Sequence, residues 1–309
     1  MAVFTFLVMF VVSTVIAVVG GGQVATIVPA STKEQRYGWL GKLPNVRAWI
    51  GPRMIQNLTE ADYSIKERPW ELTIGVDRDD IETDNLGVYA PLFEEMGDST
   101  GAFKDQLVWG LLKAGFATNC YDGQFFFDTD HSEGDSGTQD NDIAVDISAL
   151  PALVHGVVTA PSVEEMQQVI LKAIAQILSF KDDRGEPMNE NARRFVVVLP
   201  VSLYLVGVAA VSGLTTAALA QNLNPNLIAG LNVDVQMNAR LTWTDSFAVF
   251  RTDSPIKAFI RQTEQEVEMK SKAEGSEFEF DNDAWQFGID AWRGVGYGYW
   301  QRACYVTMT

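Results

Sequence analysis

The chain has 309 residues, 47% of them hydrophobic, enough to bury a sizeable core in one elaborate domain or two ordinary ones. Its 25 glycines and 11 prolines exclude collagen-like and disordered classes. A formal net charge of −17 argues against direct nucleic-acid binding, which needs Lys and Arg to neutralise phosphates. It fits either a container whose acidic wall repels DNA or a protein kept soluble by its charge.

Residues 2 to 22 carry no charge, and the first charged residue is Lys33. The stretch is long enough to span a membrane. It lacks the basic n-region of a signal peptide and the flanking Lys or Arg that would orient a span. Its Val, Thr, Phe and Ile favour extended structure. Three readings stand: an extended arm packing on neighbouring copies, a membrane or targeting segment, or an atypical stretch. The arm, over residues 1–32, is preferred.

Residues 33–76 alternate aromatic, polar and turn residues, with Tyr37, Trp39, Trp49, Tyr63 and Trp70 and turn signals at 43–45 and 51–52. Strands and a hairpin follow from that pattern. A lone two-stranded ribbon is marginal in water, so such a hairpin needs a partner surface; the plainer reading puts the tryptophans in a core. The acidic run Asp77 to Glu82 reads as a solvated turn rather than a metal site, because adjacent strand residues face opposite ways. Residues 91–116 read as a long helix, with Pro91 in its first turn, Leu92, Met96, Phe103, Leu107 and Leu111 at helical spacing, and a kink allowed at 97–101.

CYDGQFFFDTDH at 120–131 offers Asp128, Asp130 and His131 as metal ligands, but no second His or Cys lies at ligand spacing. The acidic, Gly- and Ser-containing residues 132–146 read as an exposed loop. Ser162 to Glu165 forms a capping box that opens a helix with Met166, Val169, Ile170, Ala173, Ile174 and Ile177 on one face. Phe195 to Leu199 reads as a strand buried on both faces, and Pro200 opens a helix to Ser212, with a second short helix over 214–221. Strands are expected at 232–242, 247–251, 258–260 and 266–269, and Trp285, Phe287, Ile289 and Trp292 recur near period two. Gly294, Gly296 and Gly298 read as a turn or bend, and no phosphate-loop motif exists. Cys120 and Cys304 do not make a disulfide framework and read as buried thiols; neither sits in a cysteine-protease signature.

The runs YGWLG (37–41), VDRDDIETDN (76–85), YAPLFEEMG (89–97) and CYDGQFFFDTDH (120–131), in that order, resemble the Mu-like phage major head subunit family, the gpT-type capsid proteins. The resemblance covers about residues 27 to 309. It implies an α+β, HK97-like capsid fold: an N-terminal arm at 1–32, an E-loop at 33–76, and a P domain at 77–150 whose spine helix is 91–116. It further implies an A domain at 151–254 and return strands to the P domain at 255–309. The implied function is a major capsid protein, not an enzyme, that self-assembles through hexamers and pentamers into an icosahedral head. That head encloses double-stranded DNA without sequence-specific contacts.

Implied partners are a separate scaffold or protease, a portal, and a decoration protein in some shells. The implied setting is the virion, assembled in the host cytoplasm, with no membrane favoured. Tyr37, Trp39, Trp49 and Trp70 are the candidate inter-subunit contacts. No catalytic, cofactor or metal residue is assigned and no cofactor is expected. Two alternatives remain: an encapsulin-like shell enclosing cargo, and a metal-dependent hydrolase using Asp128, Asp130 and His131.

Overall fold

The computed structural model describes residues 20–30, 32–37, 40, 63–83, 87, 89–151, 153–220 and 231–309. The uncharged stretch before residue 20, Trp39, and residues 41–62 with Trp49, where the sequence suggested a hairpin, lie outside the described residues. In chain order the first elements are α1 (Gly21–Val24), β1 (Ala25–Pro29), β2 (Glu34–Arg36), β3 (Ser64–Lys66), β4 (Arg68–Asp77), α2 (Arg78–Glu82) and α3 (Ala90–Ala114). There follow β5 (Asp142–Val145), α4 (Val163–Ser179), β6 (Arg194–Leu199), α5 (Val201–Ala220), β7 (Asn232–Met237) and β8 (Ser246–Arg251). The chain closes with β9 (Phe259–Lys272), α6 (Glu277–Asn282), β10 (Ala284–Tyr297), a 3₁₀ turn (Trp300–Arg302) and β11 (Ala303–Met308).

Two sheets organise these elements. The first runs β1-β9-β10-β4 and is built on the antiparallel pair β9 and β10, each of 14 residues. At ~3.3 Å per residue this ribbon is roughly 45 Å long. The period-two pattern of Trp285, Phe287 and Ile289 buries those side chains against Val76, Phe93 and Met96. The alternation passes next to Ala291 and Arg293, so Trp292 lies on the opposite face, under the Lys33 ammonium at 5.1 Å.

Helix α3 is unbroken through Gly97 and Gly101 and lies along β10. Phe93 meets Phe287 at 5.2 Å, Phe103 meets Trp70 at 4.8 Å, and the Tyr297 hydroxyl donates to the Leu111 carbonyl at 3.0 Å. Its inward face is Phe93, Met96, Val108, Trp109 and Leu112, while Leu92 is exposed. The row Phe103, Leu107 and Leu111 is only half-buried.

The second sheet runs β5-β11-β8-β6-β7. Strand β6 is buried over its last five residues and β8 over all six, so this sheet carries the main core. Helix α4 covers it with Met166, Val169, Ile170, Ala173, Ile174 and Ile177. Helix α5 is one helix where two were expected, because Gly213 is tolerated in a helix packed on a sheet. Gly207 lets it pack: a Cβ there would stand 2.1 Å from Leu199 Cδ1. No described helix is long and apolar enough to cross a membrane.

The stretch 132–146 is not simply an exposed loop. Its end forms β5, parallel to β11, and Asn141 is buried. Side-chain bonds from Asn141 to Phe126 O and from Asp128 N to Asn141 replace the apolar signal that a strand normally shows. The last strand, β11, leaves the first sheet and pairs with β8 and β5. Thus β8 and β11 are neighbours in one sheet while β9 and β10 are neighbours in the other.

Candidate functional site

Three places gather the chemistry. The first is the base of the residue 33–76 hairpin. Strand β2 pairs antiparallel with β3, Glu34 opposite Lys66 and Arg36 opposite Ser64. Tyr37 follows at once and is 2% exposed, packed with Leu40, Ile65, Ile260 and Tyr299. Its hydroxyl accepts from Gln262 Nε2, and burial raises its pKa. Tyr37 therefore anchors the hairpin base from inside the chain. The tail of β10 comes close beneath: a Cβ at Gly296 would meet Ile65 Cδ1 at 2.4 Å. The glycines read as a turn in the sequence thus sit within or just after a strand; Gly294 and Gly296 make room for the β2–β3 side, and Gly298 for the Lys257 carbonyl.

The second place is Trp70 on the edge strand β4. Its indole N–H donates to the Arg293 carbonyl at 3.4 Å, and its ring is half-buried against Phe103. Two grooves meet at it. One, of about 190 Å³, is lined by Leu72, Phe103, Ile289 and Ala291; the other, of about 520 Å³, by Ile65, Leu107, Leu111 and Val295.

The third place is the loop 120–139, whose inner side chains dock on the 3₁₀ turn between β10 and β11. His131 is fully buried, and its ring lies flat on Trp300 at 4.0 Å. Its Nδ1 stands 2.6 Å from Asp122 Oδ2, and the Cys120 thiol donates to Asp122 Oδ1 at 2.8 Å. Burial alone would raise Asp122, but the bonds from His131 and Cys120 hold its carboxyl below the usual range. The Cys120 thiol is pushed up, first by burial and then by Asp122.

Glu133 accepts from Tyr121 OH, Trp300 Nε1 and Gln301 Nε2, yet burial keeps its pKa raised. The trio of the alternative reading, Asp128, Asp130 and His131, does not converge. Asp130 is exposed and bonded to Gln124, Asp128 turns to the Thr129 N–H, and His131 turns to Asp122. Asp122 was the group the sequence reading missed. The CxD spacing was its only signal.

A fourth feature is a single carboxylate that shapes a loop. Glu165 is buried; its Oε1 accepts the N–H groups of Val154, His155 and Gly156 at 2.8–2.9 Å, and its Oε2 accepts that of Ser162. Burial raises its pKa, but these four donors outweigh it and bring it to about 2. The loop so held exposes Leu153, Val154 and Val157.

Comparison with known proteins follows this geometry. The profile of the Mu-like prophage major head subunit gpT family matches residues 14–149 and 228–309, more than half of the chain. The matched parts carry both partners of the long ribbon and α3; the stretch between them carries α4, β6 and all of α5. The major capsid protein of Escherichia phage Mu is 50% identical over 109 residues, 35% of this chain and 36% of that protein. The Mu-like prophage FluMu major head subunit of Haemophilus influenzae is 47% identical over 112 residues, 36% of each chain. These matches thus span about a third of the curated relatives' length. The procapsid of bacteriophage JBD30 is 26% identical, with a TM-score of 0.54 over 99% of this chain and 74% of that one, which makes the architecture an HK97-like, α+β capsid fold.

Proposed function

This chain belongs to the Mu-like prophage major head subunit gpT family, and on that premise we propose that it is the major capsid protein of a phage head. Copies of it assemble through hexamers and pentamers into an icosahedral shell around double-stranded DNA. The observation that carries this reading is the match to the procapsid of JBD30 over nearly the whole chain, joined to the family match. The chain's work is self-association rather than catalysis.

Within that reading, residues 1–32 form the arm, 33–76 the E-loop, 77–150 with 255–309 the P domain, and 151–254 the A domain. The long β9–β10 ribbon and α3, the spine helix, support this division. Trp70 is the contact residue the geometry favours, because it is half-buried between two apolar grooves. Half-buried Phe103, Leu107 and Leu111 on α3 extend that surface. Tyr37 acts from beneath by fixing the hairpin base, and Trp39 and Trp49 are carried forward as contacts of the E-loop. A scaffold or protease, a portal and a decoration protein complete the assembly. The shell is built in the host cytoplasm and ends in the virion. The net charge of −17 suits a wall along which DNA slides without being read.

The test is electron microscopy of the purified full chain with sedimentation in parallel. Rings, tubes or closed shells are expected. A small monodisperse species that persists at high concentration and with scaffold added would overturn the proposal.

A further inference from the structure

The shell-forming role makes no use of the loop that buries Cys120, Asp122 and His131. One ligand atom from each of these three side chains lies within 4.8 Å of the other two. The loop is closed by its own backbone, Cys120 N–H donating to Gln124 O and Gly123 N–H to Cys120 O. The Trp300 ring fixes the His131 ring plane, with 8° between them. The side chains of His131 and Asp122 are 0% and 5% exposed, and Cys120 is buried. Three donors of three kinds are thus held together in a dry place by the fold.

We propose that Cys120, Asp122 and His131 form a zinc-binding site. The donor set is the first reason. Thiolate sulfur, imidazole nitrogen and carboxylate oxygen are the ligands Zn²⁺ uses, commonly with a fourth position for water. Charge is the second. The Asp122 carboxylate lies between the other two groups, in contact with the Cys120 thiol at 2.8 Å and the His131 ring at 2.6 Å. A dication bound by the Cys120 thiolate and the Asp122 carboxylate makes a unit of zero net charge, which a buried site needs. Reach is the third. Zinc–sulfur and zinc–nitrogen bonds of about 2.3 and 2.0 Å put ligand atoms roughly 3.5 Å apart. The present separations of 2.8 Å (Cys120 to Asp122) and 2.6 Å (His131 to Asp122) widen to that by less than about 1 Å.

The binding step balances simply. Zn²⁺ replaces the thiol proton of Cys120, which leaves to solvent, and the His131 ring takes the tautomer that frees its ligating nitrogen. One proton is released per ion, and nothing is oxidised or reduced. Without the ion, the same three groups close on one another as the hydrogen-bonded triad. Glu133, whose Oε1 is shared by three donors, stays outside the ligand set.

The test uses the full chain, expressed in zinc-supplemented medium and purified without chelator. Metal analysis should find about one zinc per chain. Cobalt(II) exchanged into the site should show a sulfur-to-metal charge-transfer band. The Cys120→Ser variant keeps a hydroxyl to donate to Asp122, so the triad survives while the sulfur ligand goes. It should lose the band and bind zinc at least ~10-fold more weakly, as second-sphere and ligand changes at zinc sites do. His131→Gln keeps the sulfur ligand and should also bind zinc at least ~10-fold more weakly. Less than about a tenth of an equivalent of zinc with no cobalt band, or zinc binding unchanged in Cys120→Ser, would overturn the site. Neither result bears on whether the chain forms shells.

Discussion

Gly296 of β10 and Ile65 of β3 touch so closely that a methyl group on the glycine would stand 2.4 Å from Ile65 Cδ1. The contact lets the base of the hairpin lie flat on the ribbon, and the Tyr297 N–H donates to the Tyr63 hydroxyl at 2.8 Å beside it. Gly296→Ala should therefore destabilise the chain by about 1–3 kcal/mol, the usual range for overpacking. The same substitution in an Ile65→Ala background should cost distinctly less. Denaturant unfolding of the four-member cycle measures the coupling, and strict additivity would remove the contact from the account.

Glu165 gives the fold a signature in acid. Its carboxyl titrates at about 2, against 4.5 when unfolded, so its contribution is present above pH 4.5 and is lost as pH falls toward 2. The contribution is at most roughly 3 kcal/mol. Glu165→Gln should remove most of that slope and loosen the loop carrying Leu153, Val154 and Val157. Stability measured from pH 7 to pH 2 checks both. An unchanged acid limb in the variant would contradict the assignment.

Asp142 has the opposite sign. Burial, with Asp140 and Asp128 beside it, pushes its pKa up to about 6 from 3.8. A raised carboxyl favours the protonated fold, so stability is lost as pH rises from about 4 to 6. Asp142→Asn should then stabilise the protein at pH 7 by about 1–2 kcal/mol, allowing for partial solvent screening, and make little difference at pH 3.5. Thermal unfolding at the two pH values is the check.

Trp70 separates assembly from folding. Its half-buried ring makes Trp70→Ala cost about 1–2 kcal/mol in the isolated chain. A central aromatic anchor of an interface contributes far more to association than its neighbours do. Shell yield by sedimentation should drop several-fold at a temperature where the variant remains folded by circular dichroism. Wild-type yield in the folded variant would take Trp70 out of the contact set.

Elements defined by side-chain period were legible before the structure. The capping box at Ser162, the apolar face from Met166 to Ile177, and the alternation at Trp285, Phe287 and Ile289 all signal themselves within a few residues. Which stripe of α3 faces inward was only partly legible, because Leu107 and Leu111 look as apolar as Val108 and Leu112 while a groove lies beside them. Strand β5 was missed because its pairing depends on Asn141, whose amide does what hydrophobic neighbours usually do. The convergence of Cys120, Asp122 and His131 comes from loop closure and from Trp300, far away in sequence. The role of Gly296 is likewise invisible without knowing that Ile65 arrives over it. Close approach leaves no mark on composition.

The pairing of β8 with β11 in one sheet and of β9 with β10 in the other has a mechanical meaning. Two short segments, 252–258 and 298–302, pass side by side between the sheets and are hydrogen-bonded from Gly298 N–H to Ala258 O, so the passage is a double strut rather than a single linker. A push on the far end of the ribbon, near Lys272 and Gln286, travels down both strands to Phe250 and Ala303 in the buried sheet. It is borne there as shear across ladders of hydrogen bonds, which yield only when many break at once. In the shell proposed above, load on the ribbon would therefore reach the buried sheet through two connections at once.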